Sequence, residues 1–314
     1  MSTLTRRCFY DEEAAYKYIE SKLWPKGPVC PHCEETKRVN KMKGKATRIG
    51  LYKCYACRKQ FTVKIGTIFE SSHVKMHLWL QAIHLVASSK KGISANQLHR
   101  TLGVTLKTAW FMGHRIREAM RSADTGEQLG SGGGTVEADE TFIGHQAIKP
   151  SKHRGHAHKQ KVLSLLDRNT KRTRSIVVDD LRAGTIQPLL KAHIAKEAKL
   201  MTDEAQHYAF AGKHFADHRT VMHTADEYVF AFDKSIHTNT IEGFFSIFKR
   251  GMKGVYQHCR HHHLHRYLHE FDFRYAFRVA NGVEDEQRAD ILLNGVKGRR
   301  LTYQTVSEGD AAPQ

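Results

Sequence analysis

Gly134-Thr-Val-Glu-Ala-Asp-Glu-Thr-Phe-Ile-Gly144 alternates with the period of a β-strand. Glu137, Asp139 and Thr141 fall on one face and Val136, Ala138 and Phe142 on the other, so a carboxylate projects from a sheet. Two more strand patterns follow, Val162-Leu-Ser-Leu-Leu-Asp-Arg168 and Arg174-Ser-Ile-Val-Val-Asp179, joined by the turn-prone Asn169-Thr-Lys171. The three together predict an antiparallel meander. An amphipathic helix from about Thr185 to Ala195 then leads to a short strand, Ala198-Lys-Leu-Met-Thr202. Asp203 stands directly at the end of that strand, a place where carboxylates often serve chemistry.

A third carboxylate lies on a helix. In His237-Thr-Asn-Thr-Ile-Glu-Gly-Phe-Phe-Ser-Ile-Phe-Lys-Arg250, Ile241, Phe244, Phe245 and Phe248 make an apolar stripe suited to packing on the sheet. Asn239, Glu242, Ser246 and Lys249 share the other side, so one face presents an amide, a carboxylate and a cation. Oxygen donors converging from separate elements suit Mg²⁺ or Mn²⁺, and Lys249 is placed to hold a phosphate.

Upstream, Thr125-Gly-Glu-Gln-Leu-Gly-Ser-Gly-Gly-Gly134 reads as a linker. The segment before it has helix-turn-helix punctuation. A helix through His77 to Val86 is followed by Gly92-Ile-Ser94, where Ser94 can cap a helix from Ala95 to Thr101, and Gly103 makes the turn. Thr105 caps a third helix with Leu106, Ala109, Trp110, Gly113 and Ile116 on its packed side. Lys107, Thr108, His114, Arg115 and Arg117 are expected to face a DNA groove. Nearer the N-terminus, Cys30-Pro-His-Cys33 and Cys54-Tyr-Ala-Cys57 have the spacing of a zinc ribbon. Four thiolates leave no open position for a substrate, so the one zinc expected there is structural.

With 50 Lys+Arg against 32 Asp+Glu, the formal charge is +18. A positive field of that size favours a polyanion as partner. DNA or RNA fits better than a membrane, since no apolar run approaches the roughly 20 residues that span a bilayer. Met1-Ser-Thr-Leu-Thr-Arg-Arg7 leads into Asp11-Glu-Glu13 with no secretory pattern. Only Cys8 and Cys259 lie outside the ribbon, which suits a reducing cytoplasm.

These pieces carry a resemblance. The order β-β-β-α-β-α, with acids on the first strand, at the fourth and on a late helix, is similar to the ribonuclease H-like core of DDE transposases and retroviral integrases. The four cysteines, Phe61-Thr-Val-Lys-Ile-Gly-Thr-Ile-Phe69, Asp139-Glu-Thr-Phe-Ile-Gly144 and His237 to Gly251 resemble bacterial insertion-sequence transposases of the zinc-ribbon ISXO type. The resemblance covers nearly the whole chain. It implies an α/β protein with an N-terminal helix and zinc ribbon over residues 1–72, a helix-turn-helix region over 73–124 and a linker over 125–134. A ribonuclease H-like mixed-sheet catalytic domain over 135–306 and a tail over 307–314 complete the expected order.

The resemblance further implies that Asp139, Asp203 and a third ligand hold two Mg²⁺ or Mn²⁺ ions, and that Lys249 contacts DNA. The family is described with either Asn or Glu in the third position, and Asn239 and Glu242 both stand here; a carboxylate neutralises a divalent ion better than an amide, which favours Glu242. The implied activity is binding of terminal inverted repeats, cleavage that frees 3′-hydroxyls, and their attack on target DNA, by a homo-oligomer acting on double-stranded DNA in the bacterial cytoplasm, at the nucleoid. Two other functions share these features: a DNA-binding regulator with an inactive core, and a nuclease that cuts without joining.

Two basic regions fit a DNA partner. The stretch from His145 to Lys161, with Lys149, Lys152, Arg154 and Lys159, is too polar for a core and suits phosphates, as does Arg250 beside Lys249. The histidine-rich run from His258 to His269 offers a second metal site as one reading. Interleaved Arg260, Arg266, Tyr267 and Phe271 read more simply as an amphipathic helix beside DNA.

Overall fold

Helix α1, Glu12–Leu23, starts where Asp11 Oδ1 accepts the Ala14 N–H at 2.7 Å, and it buries Ala15, Tyr16, Ile19 and Leu23 at helical spacing. Strands β1 (Val39–Lys41), β2 (Tyr52–Cys54) and β3 (Gln60–Phe61) follow as a small antiparallel sheet in that order. Trp24 lies edge-on to Tyr52 and Phe61, which stack on each other. Three helices come next: α2, Met76–Ser88; α3, Ala95–Leu102; and α4, Leu106–Met120. Glu12 reaches across to cap α2, accepting from the Met76 N–H at 2.8 Å and approaching His77 Nδ1 at 2.8 Å.

The computed structural model describes residues 3–121, 126–144, 158–221 and 234–302, and the chain divides into two compact units. The first takes residues 1–87, 95–119 and 289–314; the second takes 88–94 and 120–288. Residues 289–302, expected to lie in the catalytic domain, therefore group with the first unit. Asp290 on α8 (Asp285–Asn294) accepts from Tyr18 and pairs with Lys22 at 2.6 Å, while the Ile68 N–H donates to the Val296 carbonyl at 3.2 Å.

The turn between α3 and α4 is built as expected, with Gly103 at φ +66° and Thr105 Oγ1 accepting from the Thr108 N–H at 3.2 Å. The expected groove-facing side of α4 is not. His114 is 1% exposed, with its ring 4.1 Å from that of Trp110, and Arg115 is 6% exposed. Arg115 donates to the carbonyls of Ile68 (2.7 Å), Glu70 (2.8 Å) and Leu301 (3.1 Å), and Arg117 is buried as well. His114, Arg115 and Arg117 are thus structural, because α4 is packed on nearly every side instead of along one stripe. Lys107 stays exposed and Thr108 half-exposed, on the first turn of α4.

A measurable consequence follows from those three carbonyls. Arg115→Ala leaves them without their donor in a buried setting and is expected to destabilise the first unit by about 2–4 kcal/mol. Urea unfolding followed by tryptophan fluorescence reads this directly; an unchanged midpoint would return Arg115 to the surface.

In the second unit, β4 (Thr135–Ile143), β5 (Gln160–Asp167) and β6 (Thr173–Val178) form the antiparallel meander. Asp167 builds the turn after β5 by accepting from the Asn169 and Thr170 N–H groups, and Lys171 has φ +59°. Helix α5, Ala183–His193, then carries the chain over to β7, Lys199–Asp203, which pairs parallel to β4; β8, Asp217–Val221, pairs parallel to β7. The sheet order is β6-β5-β4-β7-β8. Strand β8 was not expected, since Asp217-His-Arg-Thr-Val221 lacks apolar alternation; as an edge strand it needs little.

Each face of the sheet has its own core. Val136, Ala138, Leu163, Leu165 and Leu200 pack with Ile186 and Leu190 of α5. On the other face, Ile143, Val162 and Leu166 meet α6, Asn239–Gly251, through the stripe Ile241, Phe244, Phe245 and Phe248. Helix α7, His261–Ala276, adds Leu264, Leu268 and Phe271 to this core. The helix is amphipathic, with Leu264, Tyr267, Leu268 and Phe271 buried and His261, His262 and His265 exposed.

Candidate functional site

The two CxxC turns are built alike. The Cys30 N–H donates to the Glu35 carbonyl at 2.9 Å and the Cys54 N–H to the Lys59 carbonyl at 3.0 Å, and the residue after each pair, Glu34 or Arg58, has φ near +60°. This brings Cys30 and Cys57 sulfurs to 3.7 Å, Cys33 and Cys54 sulfurs to 3.7 Å, and all four within 4.8 Å of one another. Four sulfurs around zinc at about 2.3 Å each would lie roughly 3.8 Å apart. The donor set and spacing therefore fit that ion. The backbone N–H of Cys57, with that of Ala56, favours the Cys54 thiolate and holds its pKa below the usual thiol value.

Two of the acids are on neighbouring strands of the large sheet. Parallel pairing of β4 with β7 sets Glu137 opposite Met201, and two residues further along both strands stand Asp139 and Asp203. Burial lifts the Asp139 carboxyl to about 7, aided by the charge of Glu140 and then by those of Asp203 and Glu242. Burial likewise raises Asp203, again with the charge of Glu140 contributing. Asp203 and Glu242 thus both lie within electrostatic reach of Asp139, although among the described residues only the cysteines bring three or more ligand atoms within 4.8 Å. Half-buried carboxylates whose charges raise the Asp139 carboxyl fit a hard divalent cation, whose charge would offset the repulsion.

Glu137 sets the position of the helix. Fully buried, it accepts from the Ile241 N–H at 2.8 Å in the first turn of α6 and from Arg168 Nε at 2.5 Å. Arg168 also donates to the Ser235 carbonyl and to His237, so the strand acid and the start of α6 are tied to one guanidinium. Glu242, in the same turn, is held toward Asp139 by this arrangement. Glu137 was visible on the acid face of the strand, but its partner Arg168 gave no local signal. The same holds for Glu140, which accepts from Tyr208 and lies 2.6 Å from His207 Nε2.

The remaining predicted site residues are on the surface. Asn239 is exposed as the first residue of α6, and Lys249 and Arg250 are exposed in its last turn. The Lys249 ammonium lies 6.0 Å from the Phe245 ring centroid, and Arg250 Nε donates to the Ser246 carbonyl. Lys159 is half-exposed just ahead of β5, whereas Lys152 and Arg154 lie outside the described residues.

Residues 132–276 match the family model of the ISXO2-like transposase domain, and residues 10–60 match that of the transposase zinc-ribbon domain. The chain carries an ISXO2-like transposase domain and a transposase zinc ribbon. A protein described as "Uncharacterized protein in transposable element ISH50" from Halobacterium salinarum is 26% identical over 259 residues, covering 78% of this chain and 84% of that one. The transposase domain contains Asp139, Asp203, Glu242 and Lys249, and the transposase zinc ribbon contains all four clustered cysteines. Helices α3 and α4 fall between the two matches. No helix among the described residues is long and apolar enough to cross a membrane.

Proposed function

We propose that this chain is a DNA transposase that binds the terminal inverted repeats of an insertion sequence and catalyses metal-dependent cleavage and strand transfer. The observation that carries the reading is the placement of Asp139, midway along β4, beside Asp203 at the end of the neighbouring parallel strand β7, with the Glu242 charge also acting on Asp139 and all three inside the matched transposase domain. The sheet order, with three antiparallel strands followed by two parallel ones, supports a ribonuclease H-like core.

On this reading Asp139, Asp203 and Glu242 hold two Mg²⁺ or Mn²⁺ ions. Those ions would supply an activated oxygen nucleophile and charge stabilisation of the leaving oxygen in an in-line displacement. Glu137 and Arg168 keep α6 in register with β4 so that the three acids face one point. Lys249 and Arg250 hold the phosphate of the strand, and no covalent enzyme intermediate is required. The ribbon, with one structural zinc, and the α3–α4 pair bind the repeats through Lys107 and Thr108, supported by the net charge of +18. Two ends related by inversion suit a homo-oligomer on the DNA, and the substrate places the enzyme at the bacterial nucleoid.

The third ligand is tested by a pair of substitutions. Glu242→Gln is expected to lower Mg²⁺-dependent cleavage of labelled terminal DNA by about a hundredfold or more, and Asn239→Ala by less than about tenfold. The preference for Glu242 comes from its contribution to the Asp139 environment. Normal cutting by Glu242→Gln with a dead Asn239→Ala would move the ligand to Asn239.

A further inference from the structure

A cavity of about 400 Å³ in the second unit is lined by none of Asp139, Asp203 and Glu242 and includes the aromatic side chains of Phe244, Phe271 and Tyr275. Two arginines, Arg274 and Arg278, line it from the end of α7 and the residues just after. Each guanidinium sits on the ring three residues before it. Arg274 is 4.8 Å from the Phe271 centroid and Arg278 is 4.0 Å from that of Tyr275. The rings fix the two planes and leave their edges for hydrogen bonding.

Those edges are underused. Arg274 is 7% exposed and spends Nη1 on the Ser89 carbonyl (2.9 Å) and on Glu270 (3.0 Å). Its Nε and Nη2 are buried and have no partner among the described residues, and the same is true of Arg278 Nε. Leaving several guanidinium donors of this kind unsatisfied is costly, because each has lost its water without gaining a partner. Among the other charged groups on the wall, Arg288 is occupied by Asp285 at 2.6 Å and by the Phe277 carbonyl, while Lys90 adds a further cation. Counting Glu270, the cavity has four cations against two acids.

We propose that this cavity is an anion site that takes a phosphate group, with Arg274 and Arg278 as its bidentate donors. A phosphate offers oxygens to several N–H groups at once, and guanidinium edges match its geometry. The volume exceeds what one phosphate fills, and it lies in the range of small-molecule pockets; the excess leaves room for the attached sugar. The phosphate comes either from a DNA strand or from free phosphate in solution. The first source rests on the transposase reading, and the site itself does not.

The test uses full-length protein and two probes. Inorganic phosphate is titrated calorimetrically, and a single-stranded oligonucleotide carrying 5-bromodeoxyuridine is photocrosslinked and the adduct mapped by mass spectrometry. Arg278→Met, at a half-buried position, is expected to weaken phosphate at least tenfold with an unchanged melting temperature, while Lys196→Met on the exposed surface leaves it unchanged. Crosslinks at Phe271 or Tyr275 that vanish in Arg278→Met identify a DNA strand as the source; Arg278-dependent phosphate binding without them identifies free phosphate. Equal losses in Arg278→Met and Lys196→Met, or no loss in either, would overturn the site. Running both probes in Asp139→Asn separates this outcome from that of the cleavage reading, because the cavity does not involve that acid.

Discussion

In Asp139→Asn and in Asp203→Asn, Mg²⁺-dependent cleavage of terminal DNA is expected to fall by about a thousandfold or more, with repeat binding retained. The two carboxyls sit on neighbouring parallel strands, Asp139 midway along β4 and Asp203 at the end of β7, and are raised by burial, Asp139 to about 7. A raised carboxyl means that ionisation works against the folded state. For Asp139 that cost is absent below about pH 4, grows as pH rises toward 7, and is complete above it. Asparagine has the same shape without the charge, so metal-free Asp139→Asn should melt no lower than the unsubstituted protein at pH 8. Loss of cleavage with retained melting temperature and retained binding marks a catalytic role. A large fall in melting temperature would make Asp139 structural, and unchanged cleavage would remove it from the site.

Removing zinc is the second large effect. The ribbon has strands of only two or three residues, and its buried cluster of Val39, Tyr52, Phe61, Cys30 and Cys54 is small. Such a module gains little from apolar burial alone. Zinc bound by four thiolates contributes on the order of 10–16 kcal/mol of apparent binding energy in comparable peptides, and that energy is available only to the folded form. Elemental analysis is expected to give about one zinc per chain, lost in Cys54→Ser. Chelation should abolish the near-ultraviolet signal of Trp24, which stacks edge-on against Tyr52 and Phe61, and should weaken repeat binding. Full zinc content in Cys54→Ser would contradict the four-cysteine assignment.

What could be read from the sequence was what depends on near neighbours. The CxxC spacing, the alternation in β4, the apolar stripe of α6 and the glycine turn before α4 are each written within about a dozen residues, and each was found where expected. Arg115 shows where this stops. A helical wheel separates an apolar stripe from a polar remainder, but whether that remainder meets water depends on Ile68, Glu70 and Leu301, which the wheel does not contain. Strand β8 was missed for a related reason, since an edge strand is recruited by its neighbour β7 instead of by its own pattern.

The site divides in the same way. Asp139, Asp203 and Glu242 could be singled out as candidates because each stands at a recognisable place on its own element. The residues that hold them in position could not be: Glu137 with Arg168, and Glu140 with Tyr208, are pairs joined across the fold. Buried acids on a strand can now be read with that in mind. Where two alternate along one face, as Glu137 and Asp139 do, one can accept from a neighbouring helix's N–H while the other is left to the candidate site.

The most direct test of the central claim is an end-joining assay. Purified chain is incubated with Mg²⁺, labelled DNA carrying the inverted repeats that flank its gene, and an unlabelled target plasmid. The account predicts cleavage that frees 3′-hydroxyl ends at the repeat boundary and their covalent joining to the plasmid, with neither product formed by Asp139→Asn. Tight repeat binding with no cleavage in Mg²⁺ or Mn²⁺ would contradict it in favour of a regulator, and cleavage without joining would contradict it in favour of a nuclease.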